Sequence, residues 1–156
     1  MNLESCLSWR SGHKKVPHLV IGINPPGGAW QQMHGSKKAL SFNNWLQLPG
    51  LPLKEWMARR GFCARFMDKA RLPLAVWKAY YNDYPMQVGL VDNLRTGYTV
   101  ASVRKLVKDD EDNSDLEFET YKWEVTGFRI RMDGESEPFL VLAKRIVLAT
   151  GTIFLT

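Results

Sequence analysis

The chain has 156 residues, 45% hydrophobic and 24% charged, with a net charge of +5. That balance excludes compositional disorder and supplies enough apolar material for one domain, or for one piece of a larger protein. No apolar run reaches the ~20 residues of a membrane-spanning helix, and Met1 to Arg10 lacks a basic region leading into an apolar stretch, so no secretory signal is expected.

Cys6 and Cys63 are the two cysteines. They are far apart and in no Cys-x-x-Cys arrangement, which argues against a disulfide scaffold, a thiol redox centre or a structural zinc site. A cytoplasmic or nuclear setting follows, with no metal. The basic residues gather at His13-Lys14-Lys15, at Lys37-Lys38 and along Arg59-Arg60, Arg65, Lys69 and Arg71. No aromatic-rich ribonucleoprotein strand, zinc finger or basic zipper accompanies them, so they read as a solvated basic face and not as a nucleic-acid surface.

In chain order, Val16 to Gly22 is a short apolar run bounded by Lys and Gly, the pattern of a strand buried on both faces of a parallel sheet. Asn24 to Gly35 is a Pro/Gly-rich loop. Leu40 to Leu53, with Trp45, two prolines and Gly50, reads as irregular structure with at most a short helical turn. Pro52 to Arg60 predicts a helix, with Pro at its start and a basic end before Gly61. A longer helix begins near Pro73. Leu74, Trp77, Tyr80, Tyr81 and Tyr84 fall at helical spacing as a core stripe, and Pro85 is expected to stop it.

From Gly97 the period changes to two. Tyr98 to Val107, Lys122 to Arg131 and Phe139 to Leu148 read as three strands. The acidic stretch Asp109 to Asp115 and the turn Met132-Asp133-Gly134-Glu135 separate them. The consecutive carboxylates lack an EF-hand pattern and imply no metal.

The candidate binding element is Pro25-Pro26-Gly27-Gly28-Ala29-Trp30, directly after the first strand. Adjacent glycines remove two Cβ atoms, so bare backbone can approach a ligand that a side chain would block. Trp30 adds a flat face and one N–H donor. The plain alternative is a glycine turn with a core tryptophan. At the far end, Ile146-Val147-Leu148-Ala149-Thr150-Gly151-Thr152 reads as an apolar strand running into small residues.

Taken together, Trp9, Val16 to Gly22, Pro26-Gly27-Gly28-Ala29-Trp30, Leu40-Ser41, Trp45, Leu48-Pro49, Leu51, Lys54-Glu55-Trp56-Met57, Tyr80-Tyr81-Asn82-Asp83-Tyr84 and Ile146 to Thr152 resemble, in order and spacing, the oxidative stress-induced growth inhibitor family. That family is a divergent branch of the flavin-containing monooxygenase-like proteins. The resemblance touches most of the chain and thins between Gly97 and Lys144.

It implies an α/β fold: residues 1–156 as a partial Rossmann-like FAD-binding domain, with an antiparallel β-meander at 97–148 inserted before the last parallel strand. It implies FAD and NADPH as cofactors of the full-length relative, which would transfer one oxygen atom to a small-molecule or protein substrate, and a link to oxidative stress, growth restraint, cell division and protein partners. Gly22, Asn24, Gly27, Gly28, Ala29 and Trp30 would line the cofactor, with Thr150 and Gly151 approaching it from the returning strand.

His34 stands near the place where the monooxygenases carry an asparagine beside the flavin, and a histidine can hydrogen-bond or exchange protons there. An exposed loop histidine without a role is the alternative. No carboxylate follows the first strand, so Asn24 would meet the ribose without the strength of a charged acceptor. No Gly-x-Gly-x-x-Gly turn precedes Val16, and none follows Gly151. The chain is therefore expected to be an internal part of a longer flavoprotein that alone binds FAD poorly. The competing expectation is a non-catalytic regulatory or protein-interaction product.

Overall fold

The computed structural model describes residues 16–62, 71–106, 121–131 and 133–151. The expected acidic loop Asp109 to Asp115, the basic groups His13 to Lys15, Arg65 and Lys69, and Trp9, Met132 and Thr152 lie outside these residues.

The core is built on two helices that are closed by their own glycines. α2 (Leu53–Arg59) has Glu55 in its first turn and Arg59 in its last, matching the helix dipole. It ends in a Schellman motif. Gly61 takes φ 75°, Gly61 N–H donates to the Ala58 carbonyl at 3.1 Å, and Phe62 N–H donates to the Met57 carbonyl at 3.0 Å. Phe62 then stacks on Trp56, the apolar contact that accompanies such a cap.

α3 (Leu74–Gln87) contains Pro85 and does not stop there, contrary to expectation. Pro85 lies in the last turn, where its missing N–H leaves just the Tyr81 carbonyl without an intrahelical bond. The helix ends where Gly89 can adopt φ 71°, with Leu90 N–H bonded to the Pro85 carbonyl at 2.8 Å.

Leu51, Leu53, Trp56, Met57, Leu74, Trp77, Tyr80 and Ala39 form the buried cluster, and Trp77 and Tyr80 are fully buried. Residues 40–53, expected to be irregular, contribute the short α1 (Asn43–Leu46) and otherwise no helix before Leu53. They are nevertheless a wall of the core. Tyrosine hydroxyls of α3 replace the missing backbone ladder: Tyr80 Oη accepts from Leu48 N–H at 2.8 Å and donates to the Leu51 carbonyl at 2.7 Å. Tyr81 Oη donates to the Leu46 carbonyl at 3.1 Å, and Tyr84 Oη to the Pro49 carbonyl at 2.6 Å. Asp83 joins the two helices, accepting from Trp56 Nε1 at 2.9 Å and pairing with Arg60.

Around these helices the fold is mixed α/β. β1 (Val20–Gly22) pairs in parallel with β2 (Leu94–Thr96), so both helices lie in the crossover between two parallel strands. β1 is shorter than Val16 to Gly22 because its partner strand has three residues. Before it, Asn93 Nδ2 donates to the His18 carbonyl at 2.7 Å. β3 (Tyr98–Lys105), β4 (Trp123–Ile130) and β5 (Ser136–Ala143) form a three-stranded antiparallel sheet in sequential order.

The third strand thus starts and ends earlier than Phe139 to Leu148. The strand expected at the far end is also absent: residues 145–151 pair with no strand among the described residues, leaving Val147 88% and Leu148 74% exposed. An apolar run becomes a strand when neighbours satisfy its backbone, and none of the described residues lies beside this one as a strand.

Tyr80→Phe removes both loop hydrogen bonds of a buried hydroxyl while keeping the ring. The expected loss, read from the urea midpoint, is about 1–3 kcal/mol. Burial, reinforced by the neighbouring Tyr80, pushes the Tyr81 hydroxyl up to about 12, and burial moves Tyr80 and Tyr84 in the same direction. Unfolded tyrosines ionise near ~10. Between these values the unfolded chain has lost protons that the native chain retains, so stability is full below about pH 10 and falls as pH rises towards about 12. Urea melts across that range, with tyrosinate absorbance followed in parallel, should show both events together.

Candidate functional site

The turn after β1 sits beyond the carboxyl ends of two parallel strands, since Gly22 is opposite Thr96 and Gly97 N–H reaches back to the Ile23 carbonyl at 3.2 Å. The chain then folds into a tight turn in which Gly28 N–H donates to the Pro25 carbonyl at 3.0 Å, followed by a 3-10 turn over Gly28–Gln32. Gly27 and Gly28 have φ of 102° and 55°, so both need backbone freedom that other residues resist.

Their surroundings differ. A Cβ on Gly27 would lie 2.9 Å from Gln31 Nε2 and 3.1 Å from Tyr81 Cβ, whereas one on Gly28 would meet nothing within 4 Å. Gly27 is pressed against α3. Gly28 has open space where a Cβ would stand.

Gln31, not singled out by the sequence, locks this arrangement. Its Nε2 donates to the Pro26 carbonyl at 2.5 Å and to the Lys78 carbonyl on α3 at 3.1 Å. A lone glutamine in a polar loop gives no sequence signal, because its role depends on a helix 47 positions away. Trp30 is half-buried and meets Tyr81 edge-to-face at 5.5 Å, so the tryptophan anchors the turn to the helix. A shallow groove of about 320 Å³ lies between them, lined by Gly27, Trp30, Leu48, Tyr81, Tyr84 and Pro85.

Asn24 is half-buried, and its Oδ1 accepts from Gln32 Nε2 at 2.9 Å. Ala29 is exposed. His34 is exposed too, with Nδ1 2.7 Å from Ser36 Oγ two residues on. Thr150 and Gly151 are exposed in the unpaired segment after β5, with Gly151 at φ 70°. The fold therefore brings Asn24, Gly27, Gly28 and Trp30 into the loop that follows Gly22 at the end of β1, and leaves Thr150 and Gly151 without the strand expected to deliver them. Among the described residues, no three His, Cys, Asp or Glu side chains cluster as a metal site, and no helix is long and apolar enough to cross a membrane.

Gly27→Ala and Gly28→Ala separate the two roles. Both incur a left-handed penalty of about 1–2 kcal/mol, but Gly27→Ala also clashes with Gln31 and Tyr81. Thermal melts should show Gly27→Ala as clearly the more destabilised variant. Equal losses would mean that the contact with α3 carries no weight.

No protein-family model and no solved structure matches the chain. Among curated proteins, it is 34% identical to "Oxidative stress-induced growth inhibitor 2" of Homo sapiens, over 96% of this chain and 32% of that protein. It is 35% identical to "Oxidative stress-induced growth inhibitor 1" of Mus musculus, over 97% of this chain and 31% of that protein, and likewise 35% identical to the Homo sapiens protein of that name. The chain spans about a third of the length of these relatives. Over nearly all of its residues, then, this sequence has oxidative stress-induced growth inhibitor proteins as its homologues.

Proposed function

We propose that the chain carries part of a flavin-dinucleotide site in a protein linked to the oxidative-stress response and to restraint of growth and cell division. The observation behind this reading is the position of Gly28. No Cβ covers the loop at Gly28, which follows two parallel strands, and ligands of open α/β sheets bind outside the carboxyl ends of such strands.

The residues suit a nucleotide cofactor in part. Gly27 and Gly28 keep side chains out of the approach, Asn24 supplies an amide for a ribose, and Gly22 ends the strand without a Cβ. Thr150 and Gly151 are small and exposed, but no strand carries them to the turn, so they are left out of this reading. Gln31 and Trp30 hold the turn rigid, which orients whatever it binds. His34 is accessible as a hydrogen-bonding or proton-exchanging group. Bound FAD, reduced by NADPH, would supply oxygen-atom transfer, with the protein contributing binding, orientation and exclusion of water. The glycine-rich pyrophosphate turn and the NADPH site are not among this chain's motifs, so the chain alone should bind FAD poorly.

A second reading, a regulatory product that acts through protein partners, is favoured by one surface feature: Leu40 and Trp45 are largely exposed.

A chimera tests the first reading. Placing this chain in the Homo sapiens growth inhibitor 2, in exchange for the segment it matches, should yield a protein that retains flavin. Gly28→Val in the chimera should abolish retention without loss of solubility. Full flavin content in that variant would remove the turn from the site. A parent protein that itself purifies free of flavin would shift the weight to the regulatory reading.

A further inference from the structure

Large apolar side chains stand in solvent just before and within α1. Leu40 is 85% exposed and Trp45 69%, with the exposed Phe42 between them in sequence. The Phe42 and Trp45 rings meet edge-to-face at 5.6 Å. Backbone pairing fixes what surrounds them. Ala39 N–H donates to the Leu72 carbonyl at 3.1 Å and Leu74 N–H to the Lys37 carbonyl at 2.7 Å, laying residues 37–39 antiparallel to 72–74.

This brings the cation of Arg71 over the Phe42 ring, 5.7 Å from its centroid. Lys37 and Lys38 are exposed on the paired segment. Ion pairs among the described residues engage Arg59, Arg60, Arg104 and Arg131 with Glu55, Asp83, Glu124 and Asp133, and none engages Lys37, Lys38 or Arg71. An aromatic and aliphatic centre thus stands beside three cations that have no carboxylate partner among the described residues. Exposed apolar clusters bounded by polar residues mark interaction sites, and Trp and Arg are the residue types on which interface energy concentrates.

We propose that the Leu40, Phe42 and Trp45 patch, beside Lys37, Lys38 and Arg71, docks a protein segment in which large apolar side chains alternate with carboxylates. The charge of these cations selects the carboxylates, and the apolar centre selects the side chains between them. Single-stranded nucleic acid fits less well. The perpendicular rings cannot both serve as platforms for successive stacked bases, Arg71 already occupies the Phe42 face, and Leu40 offers no stacking surface. A lipid surface is served by a long amphipathic helix, and α1 has four residues. The proposal stands whether or not the glycine turn binds a flavin.

The test titrates the 156-residue chain with a fluorescein-labelled peptide of alternating glutamate and leucine. Saturable binding is expected. Trp45→Ala should weaken it by about tenfold or more, as should Lys37→Glu combined with Lys38→Glu, a loss worth about 1.4 kcal/mol or more. Both variants change exposed side chains, and unchanged circular dichroism checks their fold. Leu40→Ser serves as a second apolar variant. A lysine–leucine peptide of equal length should bind at least about tenfold more weakly. Equal affinity for the two peptides, or affinity unmoved by every variant, overturns the proposal. So does tighter binding of an oligo-dT strand or of phosphatidylserine vesicles than of the glutamate–leucine peptide.

Discussion

Three tyrosine hydroxyls on one face of α3 hold a loop that has almost no regular structure, and both the core and the glycine turn depend on them. Residues 46–51 bring leucines inward, and their backbone must come with them. A buried amide or carbonyl left without a partner would cost about 1–3 kcal/mol, enough to offset most of what one buried leucine contributes. Tyr80, Tyr81 and Tyr84 satisfy those groups directly, and their rings supply much of the apolar wall at the same time. Spacing along α3 makes this possible, since residues three and four apart share a helix face. The same face reaches the other way, because Tyr81 also supports Trp30 and sets the space around Gly27. Helix, loop and turn are one packing unit.

That unit explains which parts of the fold were legible. α2 and α3 follow from periodicity and caps, and their glycine-closed ends obey local rules readable residue by residue. The antiparallel sheet follows from alternation in Trp123–Ile130 and from the apolar run within Ser136–Ala143, with the last strand's limits displaced by several residues. Residues 40–53 were not legible as a core wall, because side-chain hydrogen bonds from a distant helix leave no period in the loop that receives them. β2 has three residues, too few for any pattern, yet among the described residues it is the strand that pairs with β1. The failure at residues 145–151 has the opposite cause: the pattern is apolar enough for a buried strand, but burial needs neighbours that the described residues do not provide.

Exposed apolar groups recur beyond that segment. Leu19, Val20 and Ile23 on or beside β1, and Leu140 and Leu142 on β5, all meet solvent. Strands buried on both faces read as continuous apolar runs, while half-buried strands alternate. Phe139-Leu140-Val141-Leu142 is of the first kind. The Leu40, Phe42 and Trp45 patch differs from these surfaces in lying outside both sheets, with the Arg71 cation over one of its rings. Its occupant is therefore proposed from ring and charge chemistry and not from strand pairing.

The glycine pair rewards the closest physical reading. As a sequence motif, Gly-Gly-Ala-Trp presents four residues of equal interest beside a cofactor. In the fold they divide. Trp30 meets Tyr81 edge-to-face, and Gly27 lacks a side chain because α3 and Gln31 occupy the space it would fill. Both are accounted for by packing alone. Gly28 is not: its φ of 55° favours glycine, but that region also admits asparagine at modest cost, and no neighbour forbids a Cβ. Open space beside a backbone already held rigid by its neighbours is the property that a ligand requires. Within the turn a ligand would therefore meet Gly28, while Trp30 keeps the turn against α3.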